Sequence, residues 1–332
     1  MNASTSRDRL WRKRLNELSA VWPDFVQGRT TGLHKTRVAS RRIREALPIV
    51  GVSAPPAKVK KLNKKMRALT RALGPIRELD VELGILEEQA SGGTSRRAVE
   101  IVRREIASRR QLLREELKDD SPVSDVNRLL KKLERIAAKG KNGSDKAGNK
   151  SQLKLETKWR AALGSRLIQR AKRLGRAIEE AGPVYAPERL HEVRTSTKKL
   201  RYVLEIARDA RVPGTAPLLR ILKRHQERLG YLHDMQILLK HVRETEAAPG
   251  LGAHISDLAE YAESLDRECR TLHAGFVEHR ADLVSVVKQV RQHVVPALTI
   301  LPRRRLSAVA RTAPAEVHVD ATDRSFPQAR AK

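Results

Sequence analysis

Large apolar side chains recur every three or four residues along most of the chain, and the alternating runs that make half-buried strands are scarce. The spacing predicts an all-α protein. Punctuation falls at Pro23, between Val52 and Pro56, at Gly74-Pro75, between Ser91 and Thr94, and at Ser121-Pro122. Between these breaks the period predicts helices over roughly 5–22, 31–50, 56–73, 76–90, 95–118 and 122–139. Residues 139–151, KGKNGSDKAGNKS, carry no large apolar side chain and read as a flexible linker. A second series follows over roughly 152–181, 186–210, 215–229, 232–246, 252–281 and 282–299. From Pro302 onward the period is lost, so 302–332 reads as a disordered basic tail. The organisation expected is a helical half at 1–138 and another at 152–301, joined by the linker.

The two series resemble each other. Leu33-His34-Lys35-Thr36-Arg37, continuing through Arg41-Arg42-Ile43-Arg44 to Leu47, aligns without gaps on Leu190-His191-Glu192-Val193-Arg194, continuing through Lys198-Lys199-Leu200-Arg201 to Leu204. Further on, Leu73-Gly74-Pro75-Ile76-Arg77-Glu78 aligns with Leu229-Gly230-Tyr231-Leu232-His233-Asp234. Order and spacing are kept, which points to an internal duplication.

Charge narrows the partner. The 332 residues hold 68 Lys and Arg against 39 Asp and Glu, a formal charge of +29, while 40% hydrophobic content is enough to build a core. Such a molecule repels itself unless a polyanion offsets its field. Phosphate polymers, nucleic acids and acidic membrane surfaces are the candidates. With 3 Trp, 4 Tyr and 3 Phe, the chain is poor in the aromatic faces on which single-stranded bases stack, which favours phosphate without bases. Cys269 stands alone, as a reducing compartment permits, and no leader-like or membrane-spanning apolar run is visible. A cytoplasmic protein without membrane insertion is expected.

The cations are concentrated. Residues 28–77 contain fourteen Lys and Arg with Glu45 as the one acid, whereas residues 99–120 contain six of each sign. At 100° per residue, His34, Arg37, Arg41 and Arg44 fall within about 80° of arc, opposite Leu33, Ala39, Ile43, Ala46 and Leu47. His191, Arg194, Lys198 and Arg201 repeat the stripe, opposite Leu190, Val193, Leu200, Val203 and Leu204. Lys60, Lys64, Arg67 and Arg71 form a second rail across from Leu62, Met66, Leu69 and Leu73. Its counterpart is thinner, with Arg220 and Lys223 but Glu227 where Arg71 would stand, so the first half is expected to bind more strongly. Arginine offers a fork to phosphate and lysine a point charge. One contact near 4 Å is worth only about 1 kcal/mol in water, so the stripes matter by number. His34 and His191 could serve as neutral donors, or be charged beside a polyanion and tighten binding at mildly acid pH.

Other chemistry is missing from the pattern. No phosphate-cradling G-x-x-x-x-G-K-[ST] loop occurs, and no cofactor is called for. Glu78, Asp80 and Glu82 point apart on a helix, and His191-Glu192 has Thr195 where a zinc helix needs its second histidine. Cys269 and His273 share a face without a third group to orient them, and His225 falls on the Leu218, Leu222, Leu229 seam as a core or boundary residue. Arg77, Glu78, His233 and Asp234 read first as helix-terminal groups beyond the Leu-Gly step, the carboxylates favoured there by the dipole.

The paired motifs, His34-x-x-Arg37-x-x-x-Arg41-Arg42-x-Arg44 with Leu73-Gly74-x-x-Arg77-Glu78 and their second copy, resemble the CHAD family, the conserved histidine α-helical domain, over roughly residues 5 to 300. The resemblance implies two pseudo-symmetric four-helix bundles around a basic central cavity, binding of inorganic polyphosphate, and association with polyphosphate granules. The family's frequent fusion to a CYTH domain has no counterpart in the sequence, and the usual Arg-Asp after Leu-Gly is replaced by Arg77-Glu78 and His233-Asp234. The expectation is a non-enzymatic polyphosphate binder using His34, Arg37, Arg41, Arg42, Arg44, Lys60, Lys64, Arg67, Arg71, His191, Arg194, Lys198, Lys199, Arg201, Arg220 and Lys223. The alternative is binding to a nucleic-acid backbone, in structured RNA above all.

Overall fold

A computed structural model describes residues 6–90, 96–118, 121–138, 148–250 and 252–299. Of the linker expected at 139–151, residues 139–147 lie outside them, whereas 148–151 are not linker but the first turn of a helix that begins at Gly148; the tail expected at 302–332 also lies outside. Among the described residues the chain is helical throughout, without a strand, and none of its helices is long and apolar enough to cross a membrane. The elements are α1 (Ser6–Val26), α2 (Thr30–Val50), α3 (Pro56–Ala72), α4 (Gly74–Ala90), α5 (Arg96–Lys118), the single turn α6 (Ser121–Ser124), α7 (Val126–Ala138), α8 (Gly148–Ala181), α9 (Pro187–Asp209), α10 (Thr215–Glu246), α11 (Ile255–Gln289) and α12 (Val295–Thr299).

Proline chemistry explains where the helices differ from the expected bounds. Pro75 has no N–H to give and its ring would collide with the carbonyl of Arg71, so the chain must restart, and α4 begins at Gly74 after α3 has ended. The break expected at the matching place in the second series is absent: α10 runs unbroken through Gly230. Tyr231 stands where Pro75 does, and a lone glycine costs a helix only about 1 kcal/mol, too little to interrupt it. Pro23 likewise fails to stop α1, which continues to Val26 as Trp22 packs against Phe25 with ring centroids 4.9 Å apart. The helix expected from 122 divides at Asp125 into α6 and α7. The break expected after residue 281 moves downstream: α11 continues to Gln289, and a π turn at Val290–Val294 precedes α12 and its Pro296.

Pro48 leaves a different trace. Inside α2 it removes the donor that the Arg44 carbonyl would have received from four residues on. The side-chain amide of Asn63 on α3 supplies the replacement, donating to Arg44 O at 3.1 Å. A local defect thereby ties α2 to α3.

Each apolar face read from the sequence is buried. Leu33, Ala39, Ile43, Ala46 and Leu47 on α2, Leu190, Val193, Leu200, Val203 and Leu204 on α9, and Leu62, Met66, Leu69 and Leu73 along α3 all lie in the interior. All but Leu33 belong to one continuous apolar cluster that draws on both series, from Leu10 to Leu298. Hydrophobic burial of this kind, roughly 25 cal/mol for each Å² of apolar surface, is the term that holds the helices together. Helix α1 packs on α2 and α8 on α9 in the same way, while α2 also packs on α8 and α9, and α4 on α10. The two basic helices, α2 and α9, are therefore neighbours.

Two buried carboxylates cross between the series. Glu45 on α2 accepts from Arg170 of α8 at 2.6 and 3.0 Å and from Arg166 at 3.0 Å. Glu205 on α9 lies 3.1 Å from Arg42 of α2 and 3.9 Å from Arg14 of α1. Each series lends a carboxylate to the arginines of the other.

Candidate functional site

With their apolar sides fixed in the core, α2 and α9 turn their basic stripes toward each other's neighbourhood, and α4 and α10 add their Leu-Gly segments. The stripe of α2 brings His34, Arg37 and Arg41 into electrostatic reach of Arg77 from α4 and of Arg194 and Lys198 from α9. From α10, His233 and Asp234 join them, and Asp234 Oδ1 lies 3.6 Å from Arg194 Nη2. The His191 and His233 rings stand 4.6 Å apart, Nδ1 to Nδ1 3.5 Å. Two carboxylates, Glu78 and Asp234, act on a cluster of at least five permanent or potential cations.

The consequence is visible in the proton equilibria. Burial, then Arg194 and Arg41, holds the Lys198 ammonium down to about 7, against Asp234 pulling the other way. Arg37 is lowered to about 10 by burial and by Arg41, with Glu78 opposing. His233 falls to about 3 through burial and the charges of Arg194, His191 and Lys198. His34 and His191 are lowered as well, by burial first and then by neighbouring cations, which favours their neutral forms in the unliganded site. Burial raises Asp234 despite the nearby cations. The fold has gathered positive charge that its own carboxylates do not neutralise.

One close approach explains the Leu-Gly step of the first series. The Arg37 guanidinium donates to Thr70 O at 3.0 Å, and a Cβ on Gly74 would stand only 3.0 Å from Arg37 Nη1. Glycine leaves the room that this arginine occupies. A Cβ on Gly230 would meet nothing within 4 Å, so the second copy of the motif has no such constraint.

The remaining expected ligands divide into three sets. Arg44 continues the stripe next to Arg41 and Arg67, its Nε buried and without a hydrogen-bond partner. From Arg67 the row proceeds along α3 through Lys64 and Lys60, with Arg71 one turn the other way, all exposed. Arg42 and Arg201, by contrast, are committed to the fold. Arg42 is met by Glu17 and Glu205, and Arg201 donates to Glu205 and, at 2.6 Å, to Gln226. Their place in the stripe gave them charge, but carboxylates from other turns of the fold had already answered it. Lys199 faces Arg170, Arg173, Glu192 and Glu45, on the α8 side of its helix. On α10, Arg220 is exposed and Lys223 pairs with Glu227 at 3.6 Å, so this thinner rail is a solvated surface.

Arg77, Glu78, His233 and Asp234 belong to the cluster, although the sequence suggested helix-terminal roles for them. The signal was present in the alignment of the two Leu-Gly segments, where a charged or titratable pair recurs at the same step. The candidates set aside are accounted for elsewhere. Asp80 is bound by Arg110, Glu82 by His241, and His225 is buried with Nε2 3.4 Å from Asp282. Burial raises the Cys269 thiol, which lies against the Tyr185 hydroxyl. Among the described residues no group of three or more His, Cys, Asp or Glu side chains is arranged to hold a metal ion.

A family model described as the CHAD domain matches residues 9–243. The crystal structure of the CHAD domain from the plant Ricinus communis superposes with a TM-score of 0.50 at 19% identity, over 88% of this chain and 90% of that one. At that identity the likeness is one of fold. A search of curated proteins finds no match.

Proposed function

The chain belongs to the CHAD family, a domain type associated with polyphosphate binding, and from that premise we propose that it is a non-catalytic binder of inorganic polyphosphate. Arg37, Arg41, Arg194 and Lys198 grip the phosphate chain between α2 and α9, with His34 and His191 donating hydrogen bonds at the mouth. Arg44, Arg67, Lys64, Lys60 and Arg71 extend the track along α3. The observation that carries this reading is the crowding of Arg37, Arg41, Arg194 and Lys198, with Arg37 and Lys198 both lowered by burial and by neighbouring arginines: cations this crowded and this desolvated need an external counter-charge. A polyanion of closely spaced phosphates meets that need, because it engages several cations at once and releases its own counterions. Attachment to polyphosphate granules follows as part of the same proposal.

Calorimetric titration with long-chain polyphosphate, beside the double variant Arg37→Ala/Arg41→Ala, tests the assignment. The variant should bind at least about tenfold more weakly, as loss of two charge-assisted contacts predicts. Equal binding by the two proteins would remove these residues from the site. Duplex RNA at equal phosphate concentration and moderate salt provides the competitor: displacement of polyphosphate by RNA would shift the assignment to nucleic acid.

A further inference from the structure

Where α2 ends and α3 begins, an open groove of about 640 Å³ lies beside the last of the cationic track. Its floor is apolar, made by Pro48, Val52, Pro56 and Val59. One wall is the row Lys60, Lys64 and Arg67, exposed and, among the described residues, without a carboxylate partner, at i, i+4 and i+7 on α3. That row spans about 10 Å at 1.5 Å per residue, enough for three phosphoryl groups in sequence. Inorganic polyphosphate has no use for an apolar floor, so this groove asks for a ligand with an apolar part as well as phosphates. Asn63 narrows the class. One Nδ2 hydrogen goes to the Arg44 carbonyl, which orients the amide and leaves Oδ1 as an acceptor, beside the second N–H, on a residue of the lining. A hydrocarbon chain laid over it would leave that oxygen unpaired, whereas a base with an exocyclic amine would pair it.

We propose that this groove binds a nucleoside triphosphate, with the base on the Val52 and Val59 floor against Asn63 and the phosphates along Lys60, Lys64 and Arg67. The site shares Lys60, Lys64 and Arg67 with the outer end of the proposed polyphosphate track, which reaches it through Arg44 beside Arg67, so nucleotide and a long phosphate chain would compete there, while nucleotide binding does not require the central grip. Adenine, with its 6-amino group, is the base whose donor suits the Asn63 oxygen.

The test is calorimetry on the full chain carrying Arg37→Ala/Arg41→Ala, which removes the central grip and leaves the groove intact. ATP, tripolyphosphate and dodecyl phosphate are the probes. Tripolyphosphate carries more charge than ATP, so electrostatics alone ranks it first. The proposal requires ATP to bind about tenfold tighter, as burial of one face of a base provides. Adding Val52→Ser/Val59→Ser should abolish that preference, while in the otherwise native chain the same two substitutions leave polyphosphate binding unchanged. Tripolyphosphate binding as tightly as ATP, or a preference that survives the serine substitutions, would overturn the nucleotide site. Dodecyl phosphate binding tighter than ATP would overturn it too, by assigning the floor to an alkyl chain. Loss of polyphosphate binding is read separately, in the native chain, so the two proposals fail independently. Circular dichroism of each variant confirms that the helices persist.

Discussion

Binding of polyphosphate should take up protons, and Lys198 is the group that does it. In the free protein its pKa stands near 7 instead of the ordinary 10.5, because burial and the facing Arg194, Arg41 and Arg37 oppose the charge and Asp234 only partly supports it. A phosphate chain laid among these side chains supplies the missing anions and returns the ammonium toward its ordinary value. At pH 7 about half a proton is then absorbed per site, and at pH 8 about nine-tenths. Affinity follows: between pH 6 and pH 9 the apparent Kd should rise by about 100-fold if the ordinary value is fully restored. The free protein moves the other way. Between pH 7 and 10.5 the unfolded chain holds the Lys198 proton and the folded chain does not, so stability rises with pH over that window. His34, His191 and His233 are lowered as well, by burial first and then by the surrounding cations, and a phosphate chain that returns them to the ordinary imidazole value of 6.5 draws little uptake from them at pH 8. Titration at pH 8 in two buffers of different ionisation enthalpy therefore isolates the lysine. A binding enthalpy independent of buffer, or an uptake undiminished in Lys198→Met, would refute the reasoning.

Three further outcomes are expected. Gly74→Ala places a methyl group 3.0 Å from Arg37 Nη1, so the arginine must shift; polyphosphate affinity should fall severalfold while the melting temperature changes little, as paired calorimetry and thermal melts would reveal. Glu45→Gln strips the buried Arg170 of its carboxylate and weakens the hold on Arg166, costing about 3 kcal/mol or more in chemical denaturation, and a loss below 1 kcal/mol would contradict the pairing. Arg211 adopts φ 60° after α9, a left-handed position that suits glycine, so Arg211→Gly should add up to about 1 kcal/mol to the unfolding free energy measured in urea.

Much of this was legible in the residues, and the exceptions share a cause. The split of α2 into a packing side and a basic side follows from the 3.6-residue period, and the buried Ile43 and Leu47 opposite Arg37 and Arg41 are where that period puts them. The restart at Gly74 could be read because Pro75 acts locally. What a local pattern does not carry is the partner across the fold. Glu205 stands four residues after Arg201 on α9 and could have been read as its partner, but nothing near Arg42 in sequence announces Glu17 and Glu205, which reach it from other helices. The same blindness applied to Asn63, whose service to the Arg44 carbonyl becomes intelligible only when Pro48 and α3 are seen side by side. The continuity of α10 was a matter of degree: one glycine without a following proline is a weak spot, and packing against α9 and α11 overrides it.

The exchange of carboxylates between the series limits how the chain can be divided. Residues 1–138 produced alone would carry Glu45 with neither Arg166 nor Arg170 to receive it and Arg42 without Glu205, and the complementary piece would leave Arg170 unpaired on a face that α2 had covered. Neither fragment has a satisfactory solitary existence, because each would expose to water the apolar surface and the charges that the other had covered. Each would be driven to find the other, or a second copy of itself, before it could settle. The covalent join makes that meeting certain, and the basic helices α2 and α9 lie along the seam where it takes place.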